Sequence, residues 1–428
     1  MKLKGWLERL PSGWDSRRLK HAVRLVTERV DVSSMAQDYI GLENIESWTG
    51  RLLEVPRSGQ ASSREVEAQG TSSRFDAGDV LFGKLRPYLA KALLAPRAGV
   101  CSTELLVLRP RDELDARFLL YVLLSPPFVE LVHSSTIGAS MPRANWDFIG
   151  TIRIPLPPLS IQRRIAASLD VELAHLDVLV AQKEEMLALL KEKRSALVSR
   201  TVTQGLDPNA RRKPSGLDWL GDIPANWTVM QLKRTWFSAD YGISENIRDT
   251  GSVKVLRMNC IVDGRIDLAN ASEVEEIDPH LLLHKGDLLF NRTNSLDQFA
   301  KVGLLDHEPE TPTSFASYFV RIRVKETVSK EYLVALLNSR LFLNYARSNA
   351  IPAIGQAQLS PSRYGDIRIP LPPREEQDAI ASYLALESVR TAELETALYD
   401  SIQHLKARRR VLIMASVTGR TEPESLTP

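Results

Sequence analysis

Two distant stretches of this chain have nearly the same sequence. Residues 152–169 read IRIPLPPLSIQRRIAASL and residues 367–384 read IRIPLPPREEQDAIASYL, so the seven-residue string IRIPLPP occurs twice without change. A match of this length is too specific to arise from shared secondary-structure preferences. The repeated unit is also far longer than a solenoid repeat, which runs to roughly 20–50 residues. The chain is therefore predicted to be a tandem duplication of a whole domain plus a helix, so whatever the module does is done at two places.

The similarity extends along most of both halves. Matching residues occur near the start, in the middle and at the end of each half; examples are Trp6 and Trp219, Gly78 and Gly286, Asp79 and Asp287, Phe118 and Tyr332, Ser125 and Ser339, and Thr203 and Thr418. Positions that differ between the halves are then as informative as the positions they share.

Length and composition agree with two large modules. A chain of 428 residues suggests about two to four domains, and a hydrophobic content of 43% is enough to build their cores. No run approaches the ~18 apolar residues that a membrane span needs, and the first residues lack an apolar signal core, so a cytoplasmic protein is expected. Cys101 and Cys260 occupy non-equivalent positions of the repeat. Buried, reduced thiols are therefore expected rather than a disulfide.

The charge balance is nearly even, with a formal net charge of +2. This is not the footprint of a protein that coats nucleic acid through bulk positive charge. Any binding to a polyanion must come from local patches or be shared with a partner.

Each half divides into a mixed part and a helical part. Short β-rich runs at 79–82, 104–108, 254–256 and 319–324 are predicted strands, and 118–124 and 332–337 are predicted amphipathic helices. Pro-rich extended segments end each mixed part, because proline does not suit a helix interior. The predicted fold class is α+β. Its segments are a mixed α/β domain at 1–158, a long helix at 159–205, a second mixed domain at 206–373, a second long helix at 374–418 and a tail at 419–428.

The long helices carry apolar stripes at the 3-4 spacing of a coiled coil, with Lys183 and Arg194 interrupting the first stripe. Ser160 is predicted to cap the first helix. About 40 residues at ~1.5 Å each make a rod of roughly 60 Å. Each rod could pack within its own half, or the two could pack on each other, antiparallel, with pseudo-two-fold symmetry. The residues predicted to pack are Ile165, Leu169, Leu173, Leu176, Val180, Leu187, Leu190 and Leu197, and Ile380, Leu384, Leu394, Leu398, Ile402, Leu405 and Leu412.

Three motifs come close to a catalytic or metal site without completing one. Residues 78–85 (GDVLFGKL) fit a phosphate loop except that Leu85 stands where Ser or Thr must bind magnesium. Residues 125–128 (SPPF) imitate the motif with which amino-methyltransferases hold a flipped base, but no Gly-rich loop for S-adenosylmethionine occurs in the sequence. His280 and His284 could be half of a zinc site, but lack further ligands nearby. The sequence therefore favours a binding protein with no catalytic residues and no metal.

The chain resembles the specificity subunits of type I restriction-modification systems over essentially its full length. The resemblance is carried by the duplicated IRIPLPP followed by Gln162 or Gln377 and a long helix, by GDVLFGKLRPYLAK at 78–91, STELLVLRP at 102–110, GASMPRANWDFIG at 138–150 and IGQAQLSPS at 354–362. Each motif alone is weak, and together they are highly specific.

The resemblance implies that the mixed modules are target recognition domains, each reading one half of a split, asymmetric DNA site. It implies that the helices form an antiparallel coiled coil, which sets the gap between the half-sites and docks two modification subunits. Those partners would carry S-adenosylmethionine and methylate adenine. Restriction subunits with motor activity, using ATP and magnesium, would join for cleavage. The chain itself would then be a non-catalytic subunit without a cofactor.

Candidate DNA contacts follow from which side chains read bases and which bind phosphate. Arginine pairs with guanine and Asn or Gln with adenine, whereas lysine and hydroxyl groups serve phosphates. The candidates lie in polar, turn-rich segments at equivalent places in the two modules. They are Lys84, Arg86, Tyr88, Lys91, Ser140, Arg143 and Asn145 in the first, and Arg292, Asn294, Lys301, Gln356, Gln358 and Ser360 in the second.

Three alternatives remain at the level of sequence. A free-standing adenine methyltransferase would need a hidden cofactor loop. A coiled-coil scaffold would bind partners without any DNA sequence preference. An orphaned specificity subunit would bind DNA without an active restriction partner.

Overall fold

The computed structural model describes residues 6–8, 10–31, 39–53, 71–136, 138, 141–244, 251–257, 259–269, 271–294, 298–349, 351–353 and 356–421, with the backbone alone at 31, 351–353 and 356–358. The chain separates into two compact units. Unit 1 comprises Met1–Glu185 and Leu398–Pro428, and unit 2 comprises Met186–Ala397. Each unit therefore contains one mixed domain and a part of each long helix.

The helices of the described chain are α1 (Leu19–Ala22), α2 (Ala116–Leu123), α3 (Pro126–Ser134), α4 (Trp146–Ile149), α5 (Leu159–Gln204), α6 (Lys330–Leu337), α7 (Arg340–Ser348), α8 (Pro361–Asp366) and α9 (Arg374–Val417). Helix α5 has 46 residues and α9 has 44. They coincide with the predicted long helices at 159–205 and 374–418 to within one residue at each end.

The strands of unit 1 are β1 (Asp15–Arg18), β2 (Val23–Val26), β3 (Arg29–Asp31), β4 (Tyr39–Ile40), β5 (Thr71–Phe75), β6 (Val80–Gly83), β7 (Ala92–Leu94), β8 (Gly99–Cys101), β9 (Leu105–Pro110) and β10 (Arg153–Leu156). Two four-stranded sheets have the orders β2-β9-β6-β7 and β3-β5-β8-β4, and β1 pairs with β10. Helices α2 and α3 cover the first sheet, where Phe82 and Phe118 are fully buried in the core.

The strands of unit 2 are β11 (Arg212–Pro214), β12 (Asp222–Pro224), β13 (Thr228–Gln231), β14 (Trp236–Tyr241), β15 (Val253–Leu256), β16 (Ile261–Val262), β17 (Arg265–Ile266), β18 (Ala271–Val274), β19 (Leu288–Asn291), β20 (Thr293–Asn294), β21 (Val302–Leu304), β22 (Thr313–Phe315), β23 (Phe319–Val324), β24 (Ile351–Ala353), β25 (Gln356–Gln358) and β26 (Arg368–Leu371). The largest sheet has the order β14-β23-β19-β21-β17-β16. Its first four strands repeat the order β2-β9-β6-β7 of unit 1. The duplication seen in the sequence is thus a duplication of topology.

The predicted local elements are present with small shifts. The run at 79–82 forms β6 one residue later, and the run at 319–324 forms β23 with the predicted bounds. The prediction for Ser160 is wrong. Helix α5 already begins at Leu159, and the backbone N–H of Gln162 donates to the carbonyl of Pro158 at 3.0 Å. Ser160 therefore lies inside the first turn.

A buried glutamine fixes the start of each long helix to its mixed domain. The Gln162 amide oxygen accepts from the backbone N–H of Asp115 at 2.8 Å, and its Nε2 donates to the carbonyls of Glu113 and Pro157. Gln377, the repeat equivalent, accepts from the N–H of Ser329 at 2.8 Å. Because a buried backbone group without a partner is costly, a side chain with both a donor and an acceptor suits this junction.

The two long helices pack on each other, antiparallel. In unit 1, Arg409 of α9 pairs with Asp177 of α5 at 2.6 Å, and Lys406 pairs with Glu184 at 3.0 Å. The residue number falls along α9 as it rises along α5, which defines the antiparallel sense. In unit 2, Arg194 of α5 donates to the Ser388 hydroxyl of α9 at 3.2 Å. The predicted coiled-coil pairing is confirmed.

The packed stripe follows the predicted heptad, with one correction. Buried or half-buried positions along α5 recur at alternating steps of three and four residues: Leu173, Leu176, Val180, Lys183, Leu187, Leu190, Arg194 and Leu197. On α9 the prediction for Leu394 is wrong, because this side chain is 56% exposed. The half-buried position is Glu395, which continues the steps from Thr391 to Leu398. Leu394 is only one residue from this position, so it fits the apolar spacing in the sequence, but its side chain does not face the other helix. The other predicted positions, Ile165, Leu169, Ile380, Leu384, Ile402, Leu405 and Leu412, are buried or half-buried.

Candidate nucleic-acid interface

The two candidate segments of the first module lie side by side. The backbone N–H of Arg86 donates to the carbonyl of Pro142 at 2.8 Å, and the N–H of Ala144 donates to the carbonyl of Lys84 at 2.9 Å. The end of strand β6 thus pairs with a segment that is more than fifty residues away in sequence. Polar side chains from both segments therefore emerge from one patch.

Arg86 has an unusual backbone conformation at this patch. Its φ of 49° lies in the left-handed region, which a non-glycine residue seldom adopts. A short 3-10 turn at Pro87–Leu89 follows directly. Within it the Tyr88 side chain is 42% exposed, and its ring meets the His133 ring edge-on with centroids 5.4 Å apart. An exposed arginine and tyrosine held on a strained turn suit contact with a ligand better than packing.

The remaining candidates of the first module have different surroundings. Lys84 is half-buried and has no ion pair or hydrogen bond from its side chain in the part of the chain that is described. Arg143 is exposed and pairs with Glu104 at 2.8 Å. Both cations can reach a ligand, although Arg143 would first have to leave its carboxylate.

Two candidates have structural roles. The Lys91 ammonium donates to the carbonyl of Leu42 at 2.6 Å, and burial lowers the pKa of this lysine. Asn145 is the N-cap of α4, where its side chain accepts from the N–H of Asp147. Ser140 lies outside the described residues.

In the second module, Arg292 lies over an aromatic ring. Its guanidinium carbon is 5.1 Å from the ring centroid of Tyr241, and its Nη1 donates to the carbonyl of Ser317 at 3.2 Å. The Nε of Arg292 is buried and has no partner among the described residues. A cation held on the face of a tyrosine presents a fixed, flat donor surface. Sequence reasoning missed Tyr241, which is 49% exposed, because it lies in a strand far from the nominated segments.

The other candidates of the second module also come together. Strand β20 pairs with β25, so that Asn294 lies opposite Ala357 and Thr293 opposite Gln358. The side chains of the candidates Gln356 and Gln358 lie outside the described residues. Asn294 itself is buried, at 7% exposure, so its side chain faces the protein interior.

Lys301 and Ser360 are held by local contacts. The Lys301 ammonium donates to the side-chain oxygen of Gln298 at 3.0 Å. Ser360 is the N-cap of α8 and accepts from the N–H of Arg363 at 3.3 Å. Ser360 and Asn145 are equivalent positions of the repeat, and both cap the short helix before the shared proline strand. Their type is therefore explained by helix capping.

The three incomplete motifs have structural explanations. Ser125 and Phe128 of the SPPF segment are fully buried, and the Phe82 and Phe128 rings pack edge-on at 5.7 Å. Asp79, within the loop-like segment, accepts from Arg109 at 2.7 Å. His280 and His284 each lie against a carboxylate, and no cluster of three metal-binding side chains occurs among the described residues.

Within the described ranges, no single helix is long and apolar enough to cross a membrane, although α2 and α3, bent by 60°, pass by length and composition when taken together.

Comparison with known families shows which family has this architecture. The family model described as the type I restriction modification DNA specificity domain matches residues 12–186 and 227–404. The chain belongs to this family. This chain thus contains two copies of the domain, and the boundaries of the matches follow the duplication seen in the sequence.

Curated relatives and a solved structure agree with this assignment. The MjaVIII specificity subunit of Methanocaldococcus jannaschii is 25% identical over 82% of this chain and 78% of its own length. The EcoKI specificity subunit of Escherichia coli K12 is 26% identical over 69% of this chain and 62% of its own. A chain from a structural study of type I complex assembly superposes with a TM-score of 0.71 at 20% identity, covering 96% of this chain and 100% of that one. At 20% identity, the similarity to this solved structure shows the fold alone.

Proposed function

We propose that this protein is the non-catalytic DNA-recognition subunit of a type I restriction-modification complex. Each mixed module reads one half of a split, asymmetric site, and the paired long helices fix the gap between the halves. The observation that carries the proposal is the duplication itself. Two modules of the same topology each bring two distant segments side by side, and each is joined to a helix of more than forty residues.

The first module is proposed to read its half-site with Arg86, Tyr88 and Arg143, and the second with Arg292 on Tyr241. Arginine forms bidentate contacts with guanine, and each such pair contributes about 1–3 kcal/mol of discrimination. Lys84 would bind phosphate. Gln356, Gln358 and Ser140 stay candidates from the sequence.

Alanine substitutions test the reading of bases. Arg86→Ala is expected to weaken binding to the cognate duplex by about 1–3 kcal/mol and to relax specificity in one half-site only. Arg292→Ala should do the same in the other half-site. Arg111→Ala is the matched control. Arg111 is exposed and follows the C-terminal end of β9, whereas the end of β6 pairs with the start of β9. Binding curves and methylation patterns that are the same for wild type, Arg86→Ala and Arg292→Ala would remove these residues from the interface.

The paired long helices are proposed to set the distance between the two half-sites. Helix α5 has 46 residues, which at about 1.5 Å each gives a rod of roughly 70 Å. Removing one heptad from each helix at paired positions, residues 181–187 and 397–403, keeps the packed stripe in register. The shortened protein should methylate sites with a shorter gap and unchanged half-site sequences. Retention of the original gap would contradict the proposal that helix length sets this distance.

The outer faces of the long helices are proposed to dock two modification subunits. Ten large apolar side chains lie exposed along the two helices, and an accumulation of exposed apolar side chains favours a protein interface. They are Val171, Val178, Leu179, Tyr399 and Val411 in unit 1, and Met186, Leu189, Leu386, Val389 and Leu394 in unit 2.

Charge placed on this face tests the docking. Leu189→Asp is expected to abolish co-purification with the modification subunit while leaving the thermal unfolding of the chain unchanged. Glu192→Lys, an exposed change on the same helix, is the control for a general effect of altered charge. Equal recovery of the modification subunit with both variants would argue against this surface.

The cofactors are proposed to reside on the partners. S-adenosylmethionine would bind the modification subunits, and ATP and magnesium the restriction subunits, with the complex acting in the cytoplasm. Titration calorimetry of the isolated chain with S-adenosylmethionine should give no binding heat, whereas the assembled complex should bind it. Binding by the isolated chain would instead support a free-standing methyltransferase.

A further inference from the structure

The second module contains an open, cationic pocket away from the end of β19 that carries Arg292. Its volume is about 420 Å³, and it lies between the start of β14, the turn before β19 and the start of α6. The residues that line it include Phe237, His280, His284, Lys285, Arg323 and Lys330. Three of these side chains are permanently cationic.

The positive charge of the pocket is only partly neutralised. Asp287 is the one carboxylate among the lining residues, and it accepts from Arg323 at 2.9 Å. The ammonium groups of Lys285 and Lys330 have no ion pair or hydrogen bond within the described chain. Glu308 lies nearby and accepts from the backbone N–H of Lys285 at 2.8 Å. Two ammonium groups on one concave surface thus have no paired carboxylate, which favours an anionic ligand.

The backbone makes room for one of these lysines. Gly286 has a φ of +92°, a conformation that other residues rarely adopt, and a Cβ there would overlap the Lys330 ammonium. Glycine thus lets the ammonium lie directly against the turn. The Phe237 ring stands at the rim with 68% of the side chain exposed, which leaves an aromatic face beside the cations.

Comparison with the equivalent site of the first module shows which of these residues both modules have in common. The first module keeps the central pair, because Arg109 donates to Asp79 at 2.7 Å just as Arg323 donates to Asp287. The other positions are different. Asp76, Ala77 and Ala116 stand where the second module has His284, Lys285 and Lys330. Phe237 occupies a bulge of β14 between Trp236 and Ser238, and β2 of the first module has no such bulge.

The first module therefore carries less positive charge at this site. There Asp76 supplies a second carboxylate to Arg109, at 2.6 Å. The same fold therefore forms without a lysine at either of these positions, which are Ala77 and Ala116 in the first module. The lysines and the exposed phenylalanine of the second module are not explained by folding.

We infer that this pocket of the second module binds a nucleotide phosphate, with Lys285 and Lys330 holding the oxyanion and Phe237 stacking on the attached base. Lysine is a point-charge phosphate ligand, and stacking of a base on an exposed aromatic ring tolerates any base. The phosphate could belong to the backbone of bound DNA or to a free nucleotide. His280 and His284 lie beside Asp240 and Glu308 respectively, so the two lysines carry the inferred contact.

The phosphate contact is tested on the full-length chain by calorimetric titration with pyrophosphate. The Lys285→Ala/Lys330→Ala variant is expected to bind pyrophosphate at least about tenfold more weakly than wild type, since both ammonium donors to the oxyanion are removed. Lys254→Ala, which removes one lysine charge from strand β15 of the same unit, should leave the affinity unchanged and is the matched control for Lys330→Ala. If the double variant unfolds, Lys330→Ala alone serves, because the first module carries Ala116 at this position.

Two further measurements separate the sources of phosphate. Phe237→Ala should weaken ADP binding and leave pyrophosphate binding unchanged if a base stacks there. For a duplex without the recognised sequence, the slope of log affinity against log salt should become shallower by about 0.9 for each backbone phosphate that the lysine variant no longer neutralises. A changed slope assigns the site to DNA, and an unchanged slope with weakened pyrophosphate binding assigns it to a free nucleotide.

The inference is overturned if the lysine variant matches wild type in both pyrophosphate affinity and duplex salt slope. It does not depend on the reading of bases by Arg86 or Arg292, because the duplex in this test lacks the recognised sequence. A loss of specific methylation in those arginine variants with normal pyrophosphate binding would leave the phosphate site standing.

Discussion

The Arg409 guanidinium of α9 donates to the Asp177 carboxylate of α5 at 2.6 Å and also donates to the backbone carbonyls of Trp48 and Thr49, at 3.2 and 3.0 Å. One nearly buried arginine thereby ties both long helices of unit 1 to a loop of the first recognition domain. Arg51 of the same loop also reaches Asp177, at 3.3 Å. The planar guanidinium can satisfy three acceptors at once, which lysine could not do in this geometry.

Arg409→Ala should destabilise unit 1 strongly. Removing one partner of a fully buried ion pair costs about 3–5 kcal/mol. The cost here should lie at the lower end, because Asp177 keeps its pair with Arg51 at 3.3 Å while the carbonyls of Trp48 and Thr49 lose their donor. We expect a lower temperature for the first thermal transition and faster amide hydrogen exchange in residues 41–53. The neighbouring exposed Arg408→Ala should change stability by less than about 0.5 kcal/mol. Equal effects of the two variants would show that the network contributes little.

Arg194 is the repeat equivalent of Arg409, and its contacts in unit 2 are weaker. It donates to the Ser388 hydroxyl at 3.2 Å and lies 3.8 Å from the Asp263 carboxylate. The partly exposed Asp263 pair is screened by solvent, so Arg194→Ala should cost no more than about 1 kcal/mol. Calorimetry of Arg194→Ala beside Arg409→Ala measures this difference. A larger loss of stability for Arg194→Ala would contradict it.

Replacing Gln162 by leucine should release the start of α5 from the first domain. The side chain satisfies the N–H of Asp115 and the carbonyls of Glu113 and Pro157. Each buried polar group left without a partner costs about 1–3 kcal/mol. The matched change Gln377→Leu should act the same way on α9, so both variants should lower Tm. An unchanged melting curve for Gln162→Leu would show that water replaces the glutamine.

The corrected packing of α9 predicts opposite outcomes for two apolar truncations. Ile402 is 3% exposed, so Ile402→Ala should cost about 2–5 kcal/mol, because it removes buried apolar atoms and leaves a cavity. Leu394→Ala should cost less than about 0.5 kcal/mol in the isolated chain, since its side chain lies outside the stripe. Chemical denaturation measures both. A large cost for Leu394→Ala would restore the original heptad assignment.

The thiols of this protein should be unreactive while it is folded. Burial raises the pKa of Cys101 and of Cys260 to about 12 in each case, above the ordinary value of about 8.5. Folding therefore favours the protonated thiols. Their contribution to stability is complete below about pH 8.5 and is lost as the pH rises through about 12.

A thiol-reactive dye at about pH 8 should label neither cysteine in the folded chain and both after unfolding in guanidinium. Labelling of the folded protein at the unfolded rate would show that the thiols are accessible. The expected pair of reduced, buried cysteines is confirmed in the structure.

Much of the architecture was available from the sequence. The duplicated strings predicted two modules of one topology, and the 3-4 spacing predicted two helices that need a partner, because an apolar stripe at this period is stable only when packed. Lys183 and Arg194 were recognised as interruptions of that stripe, and both lie on it.

The candidate interface was predicted less completely. Sequence nominated two polar segments in each module, and the structure brings the two segments of each module side by side. It could not tell contact residues from structural ones. Asn145 and Ser360 turned out to be helix caps, and the Lys91 ammonium is bound by a carbonyl.

The sequence by itself determined the duplication, the type of each main element and the family, because these are recorded in local spacing and in identical strings. Only the tertiary structure decided which polar side chains are free. A hydrogen bond such as that of Arg409 with Thr49 joins residues that are far apart in the chain. Whether a side chain is bound or free depends on such distant partners, and spacing along the chain does not record them.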